Sequence, residues 1–229
     1  MKKNVIVISL GGSLLIPENI DIKFLKQFKK TILNNLKKHK FIIICGGGNT
    51  ARKYISALSD LNAKRKLQNF IGISATRMNA RFMSYLFNKD SKKGIPHTLK
   101  TLKKHLKKQE IVFCGALEYE PDQTSDSTSA EIARYFKTNL INLTNVKGLY
   151  TNNPKKDKTA KFIGKISWED FSKKAKKIKF SPGQHFVLDQ NAAEIIKKEK
   201  IKTYIIGRDM KQLNNLLKNK KFKGTIIEN

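Results

Sequence analysis

Two glycine clusters sit directly behind apolar runs. The first, Gly11-Gly12-Ser13, follows "NVIVISL". The second, Gly46-Gly47-Gly48-Asn49, follows "FIIIC" and is itself followed by Thr50, Ala51 and Arg52. Glycines at such places let backbone N–H groups approach an anion, and a helix starting behind them adds donors and positive potential. Arginine is scarce beside lysine, and the Arg52 guanidinium offers a planar fork suited to phosphate oxygens. Two further loops carry the same polar character: "EPDQTSDS", Glu120 to Ser127, and "TNVKGLYTNNP", Thr144 to Pro154. Together they describe an anion site built by backbone and small side chains, chemistry suited to positioning phosphates without a covalent nucleophile.

Common nucleotide signatures fit poorly. No GxxxxGK[ST] loop is present, which argues against the P-loop enzymes. Gly46 to Ala51 fits GxGxxA, but the region about 20 residues on, "AKRKLQNFIG", is basic and lacks the acid that a dinucleotide fold places on the ribose. Cys45 and Cys114 lie in apolar runs and read as core thiols. His39, His97, His105 and His185 are scattered, with no zinc-like spacing to the cysteines.

Elements that could hold these loops alternate along the chain. Strand-like runs are expected at Val5–Leu10, Phe41–Cys45, Ile111–Cys114, Leu140–Thr144, Ile201–Ile206 and Thr225–Ile227. Helical periodicity is expected over Asp21–Leu36, Thr50–Leu61, Leu67–Phe87, Thr98–Lys107, Ser125–Phe136, Asp189–Lys198 and Asp209–Leu217. Asp189 reads equally as a cap for its helix and as a support for catalysis. Tyr150 to Ser167 is the most irregular stretch and reads as a lid-like loop or the start of a second lobe. The alternation implies an α/β fold with a largely parallel sheet between helical layers. The 229 residues suffice for one domain with at most two lobes. No apolar run approaches the ~20 residues of a membrane span, and the expected location is the cytoplasm. The net charge of +29 comes from 47 Lys and Arg against 18 Asp and Glu. It reads as a solvated lysine surface able to bind nucleic acid only non-specifically.

The motifs "VISLGGSLLIPEN", "CGGGNTARKY", "NFIGISATRMNA", "PDQTSDS" and "LTNVKGLYTNNPKKDKTAK" resemble the amino acid kinase family, and within it the archaeal-type uridylate (UMP) kinases. The likeness runs in order through nearly the whole chain. It implies a three-layer αβα sandwich over residues 1–229, with a nucleoside-monophosphate lobe to about 137 and an ATP lobe from about 138. It also implies Mg²⁺-assisted transfer of the ATP γ-phosphoryl group to UMP, in a homohexamer with much of the dimer contact on the 67–87 helix. The implied catalytic residues are Arg52, Gly48 and Asn145. The ATP set adds Gly12, Ser13, Thr144, Tyr150 and Asn153, and no residue is implied as a protein metal ligand. The UMP set is Gly47, Asn69, Tyr119, Glu120, Pro121, Asp122, Gln123, Thr124 and Ser125. The chain departs from the family pattern at several points. Ser9 stands where bacterial members place a lysine. Asn69, Lys147 and Asn153 replace aspartates, and Asp122 stands where the acceptor loop has glycine. Those exchanges leave open a same-fold kinase with another small phosphate or carboxylate acceptor, and a non-catalytic nucleotide- or RNA-binding relative.

Overall fold

The computed structural model describes residues 3–88, 94–119, 124–154, 157–177 and 187–229. The chain begins β1 (Asn4–Leu10), α1 (Gly12–Leu15), α2 (Ile22–Asn34), β2 (His39–Cys45), α3 (Gly48–Asp60), α4 (Arg65–Leu86) and α5 (Leu99–Lys108). It continues β3 (Ile111–Cys114), α6 (Ser125–Phe136), β4 (Leu140–Leu143), the hairpin β5 (Leu149–Tyr150) and β6 (Phe162–Ile163), then β7 (Lys165–Ile166) and α7 (Trp168–Lys176). It ends α8 (Gln190–Lys198), β8 (Thr203–Ile206), α9 (Met210–Leu217) and β9 (Thr225–Ile227).

One sheet has the order β3-β2-β1-β4-β8-β9-β7, parallel throughout except for the β8–β9 pair. Such strands are covered on both faces, which is why Phe41 to Cys45 is an unbroken apolar run with every residue 0% exposed. The chain steps outward from β1 to β2 to β3, then returns to place β4 on the other flank of β1. Right-handed crossovers in opposite directions set α2 and α6 on opposite faces. Phe28 meets Phe87 at 6.2 Å, which seats α2 beside the end of α4. Lys103 over the Tyr135 ring at 5.7 Å seats α5 beside α6. The reversal of strand order opens a crevice at the carboxyl ends of β1 and β4, where ligands bind in open α/β sheets.

Local chemistry sets the boundaries. The second helix was expected to run to Leu36, but it stops at Asn34. The Asn35 side chain instead donates to the Thr31 carbonyl at 2.8 Å and to Asn214 Oδ1 at 3.1 Å. β8 starts at Thr203 rather than Ile201 because Ile201 closes the turn that follows α8, its N–H donating to the Ile196 carbonyl at 3.0 Å. The stretch read as irregular holds the β5–β6 hairpin and β7. Just beyond it lies α7, capped by Ser167, whose hydroxyl accepts from Asp170 N at 3.0 Å. Both cysteines are buried free thiols, as expected, and burial pushes the Cys114 thiol up to about 12. No helix among the described residues is long and apolar enough to cross a membrane.

Candidate active site

The two glycine clusters are pressed backbone to backbone. Gly11 N donates to the Leu143 carbonyl and Gly46 N to the Leu10 carbonyl, each at 3.0 Å, so both loops leave the sheet side by side. A Cβ on Gly12 would lie 2.1 Å from Gly48 N, and one on Gly46 would lie 2.5 Å from Gly12 N. Gly48 has φ +64°, and a Cβ there would stand 2.7 Å from the Gly12 carbonyl oxygen. The start of α3 is therefore packed against the turn that ends β1. Gly12, Ser13 and Gly47 remain partly open to solvent. Thr144 joins them at the end of β4, its Cα 3.9 Å from where a Gly11 Cβ would be.

α4 fixes the second loop from below. Asn79, 2% exposed, donates through Nδ2 to the Gly46 carbonyl at 2.7 Å and the Gly47 carbonyl at 3.2 Å. One turn earlier Thr76 Oγ1 accepts from Ala116 N at 3.0 Å and donates to the Ile73 carbonyl at 2.7 Å. Arg77 Nε donates to the Ala116 carbonyl at 3.1 Å, and burial holds its guanidinium below the usual value. α4 thus binds the exits of both β2 and β3. Asn79→Ala strands two loop carbonyls without their donor. A stability loss of ~1–3 kcal/mol is expected, together with a fall in turnover, read from urea denaturation and a rate assay on the same preparation.

On the other flank lies a carboxyl pair. Ser9 Oγ donates to Asp126 Oδ1 at 3.0 Å. Ser127 Oγ donates to the Asp189 carboxylate at 3.1 Å, Thr124 Oγ1 also donates to it, and Ala192 N donates to it at 2.8 Å. Asp189 is therefore the cap of α8 and also a link to the start of α6. Burial, then the neighbouring Asp189 charge, pushes the Asp126 carboxyl up to about 7, partly offset by the Ser9 hydrogen bond.

Of the residues singled out in the sequence, Gly12, Ser13, Gly47, Gly48 and Thr144 converge. Arg52 stands exposed one turn along α3 from Gly48, with no ion pair among the described residues. Asn145 and Lys147 are exposed beyond β4, and Asn69 is half-buried on α4. Thr124 caps α6, and Ser125 is its first residue. The Tyr119 ring meets Phe70 at 4.9 Å, with the Lys66 ammonium 5.9 Å from the same ring. Tyr150 and Asn153 lie on and beyond β5, with Tyr150 edge-on to Phe162 at 5.4 Å. No hydrogen bond among the described residues joins Tyr150 to the glycine loops. Glu120, Pro121, Asp122 and Gln123 lie outside the described residues, as does His185. Sequence reasoning passed over Asn79, Thr76 and Asp126. A signal existed for the first two, which sit among Ala75, Ala80 and Met83 on the buried stripe of an otherwise amphipathic helix. A polar side chain at a core position is there to bind something.

The model of the amino acid kinase family matches residues 4–207. The chain belongs to the amino acid kinase family. Within this family it is 32% identical over 228 residues to a uridylate kinase of Thermococcus kodakarensis, covering 97% of this chain and 99% of that protein. It is 34% identical over 224 residues to a uridylate kinase of Thermoplasma volcanium, with 97% of each chain covered. The crystal structure of uridylate kinase from Archaeoglobus fulgidus superposes with a TM-score of 0.82 at 32% identity, covering 97% of this chain and 99% of that one. The seven-stranded, mostly parallel sheet with flanking helices is the arrangement expected of an amino acid kinase family member.

Proposed function

We propose that the chain transfers the γ-phosphoryl group of ATP to UMP, giving UDP. The observation that supports it most is the stacking of Gly12 on Gly46 and Gly48, two loops with room for nothing but backbone at the carboxyl ends of β1 and β2, beside the crevice at β4. The uridylate kinases to which the chain is similar run its full length. In this reading Gly12, Ser13 and Gly48 hold the donor phosphates, Gly47 meets the acceptor phosphate, and Arg52 reaches the group in transit. Thr144, Asn145, Tyr150 and Asn153 hold the rest of ATP, while Asn69, Tyr119, Thr124, Ser125 and the 120–123 segment receive UMP. The division into an acceptor lobe to about 137 and a donor lobe beyond it goes with this assignment.

Phosphoryl transfer needs two anions brought in line and their charge spread, which positioned donors accomplish without covalent catalysis. Among the described residues no three His, Cys, Asp or Glu side chains converge to cage a metal. Mg²⁺ would come with the nucleotide phosphates and would supply charge neutralisation during transfer. The exposed apolar side chains of α3 and α4, Tyr54, Leu67, Met78 and Tyr85 among them, suit a buried contact between copies in a homo-oligomer.

A coupled assay with ATP, Mg²⁺ and UMP, CMP or dUMP tests the reading. UDP formation is the expected result, and its absence at every Mg²⁺ concentration overturns it. Turnover confined to another small phosphate keeps the transfer chemistry and corrects the acceptor. Arg52→Ala should lower turnover at least ~10-fold by removing a charge-assisted phosphate contact. Because Arg52 is exposed and unpaired among the described residues, its loss should leave Tm unchanged, so near-normal turnover would remove it from the reaction.

A further inference from the structure

The carboxyl ends of the strands hold the glycine loops. The amino ends of the same strands carry a different chemistry. The first five strands of the sheet order, β3-β2-β1-β4-β8, are all parallel, so the turns that enter them share one edge. Read in that order, the edge carries Lys107 and Lys108 before β3, Lys37 and Lys38 before β2, Lys137 before β4 and Lys200 before β8. All six are exposed, and none has a carboxylate partner among the described residues. The acids nearby are already engaged: Glu110 by Lys3, Glu199 by Arg134 and Glu228 by Lys202. Five strands at ~4.8 Å spacing make this row of ammonium groups about 19 Å long. The lysines that look scattered in the sequence are gathered into a stripe by the strand order.

Helix dipoles favour cations at helix ends, which accounts for Lys107 and Lys108 in the last turn of α5. It does not account for two others. Lys137 and Lys200 have φ of +49° and +50°, left-handed positions just past the ends of α6 and α8. Glycine or asparagine is the ordinary occupant there. The remaining non-glycine residues with positive φ among those described, Asn62, Asn88 and Asn219, follow that rule. At this edge the chain holds lysine where its own backbone favours asparagine.

We propose that this edge is a docking surface for the phosphate backbone of nucleic acid, bound without regard to sequence. A line of compact ammonium charges matches a phosphate backbone by charge alone. The helices flanking the edge turn most of their apolar side chains inward, with Leu102, Ile132 and Ile196 each 0% exposed, and leave Leu33 and Tyr135 exposed near it, too sparse an apolar surface to enter a lipid layer. The surface lies about 20 Å from the glycine loops, the rise of seven-residue β1 at ~3.3 Å per residue, and it stands whether or not the proposed reaction does.

The test compares two variants of equal net charge on the full chain. One replaces Lys37, Lys38, Lys107, Lys108, Lys137 and Lys200 by Gln. The other replaces six exposed lysines elsewhere: Lys23, Lys26, Lys30, Lys100, Lys104 and Lys211. The probe is a 20-base-pair RNA duplex of mixed sequence, titrated across a series of salt concentrations. The edge variant should bind at least about 10-fold more weakly at low salt, with a log K against log[salt] slope shallower by about 3 or more, and keep its phosphoryl-transfer rate. Equal weakening in both variants, or none in either, overturns the proposal, as does binding to anionic phosphatidylserine vesicles without binding to the duplex. A second pair of substitutions separates charge from backbone. Lys137→Asn with Lys200→Asn should raise Tm by about 2–4 °C while weakening duplex binding. Unchanged duplex affinity in that variant also counts against the edge.

Discussion

Gly12→Ala should abolish phosphoryl transfer and destabilise the fold as well. The new methyl would sit 2.1 Å from Gly48 N, 2.6 Å from Gly48 Cα and 2.9 Å from Gly46 C, all backbone atoms that cannot rotate away. Relief requires one glycine loop to move by an ångström or more relative to the other. A shift of that size between reacting groups costs about 100-fold in rate, and more here because both substrates' phosphates are assigned to the same contact. The measurement is turnover at saturating ATP and UMP, paired with Tm. Gly94→Ala is the control. Gly94 has φ +75° but nothing within 4 Å of a Cβ, so its substitution strains the backbone in open space. It should cost ~1–2 kcal/mol of stability and leave turnover of the folded enzyme intact. If Gly12→Ala behaves like Gly94→Ala, the loops are not the cradle.

Asp126→Asn should flatten the fall of stability with pH above acid conditions. The carboxyl titrates at about 7 in the folded protein and near 3.8 when unfolded. Between those values the native state holds a proton that the unfolded state has released. Stability therefore falls as pH rises from about 4 through 7, and levels off above. The asparagine carries no such proton, keeps an acceptor for the Ser9 hydroxyl, and should flatten that limb. At pH 8 the variant should be more stable by on the order of a few kcal/mol. Asp21, Glu194 and Glu228, held below their ordinary values by hydrogen bonds first, give the opposite slope and lose their contribution as pH falls through the acid range. Urea denaturation from pH 4 to 8.5 on both proteins reads the two limbs. An unchanged profile in the variant would mean that Asp126 is ionised throughout.

Much of the frame was legible because it depends on local pattern. Ile111–Cys114, Ser125–Phe136 and Thr225–Ile227 were placed to the residue, since apolar β-branched runs and a capped amphipathic stretch announce themselves without partners. The pairing of Gly11–Ser13 with Gly46–Asn49 was also legible, as two loops ending the first two strands. What escaped depends on long-range contact. Two-residue strands such as β5, β6 and β7 exist only because a neighbour is there to accept their hydrogen bonds. Asp126 lies in the first turn of α6, and only the fold turns it toward Ser9, 117 positions away. The lysine stripe needs the strand order, which no composition reveals.

The interior position of β1, between β2 and β4, has a consequence for the newborn chain. It is synthesised before both of the strands that flank it, and its second flank, Val7 against Leu140, lies 133 positions downstream. At ~5–20 residues per second the ribosome takes roughly 7–27 s to supply it. During that interval β1, β2 and β3 can pair, but β1 is then an edge strand, and its free side stays open to whatever else can hydrogen-bond to it. The N-terminal half is thus a waiting intermediate by topology until the missing strand is made.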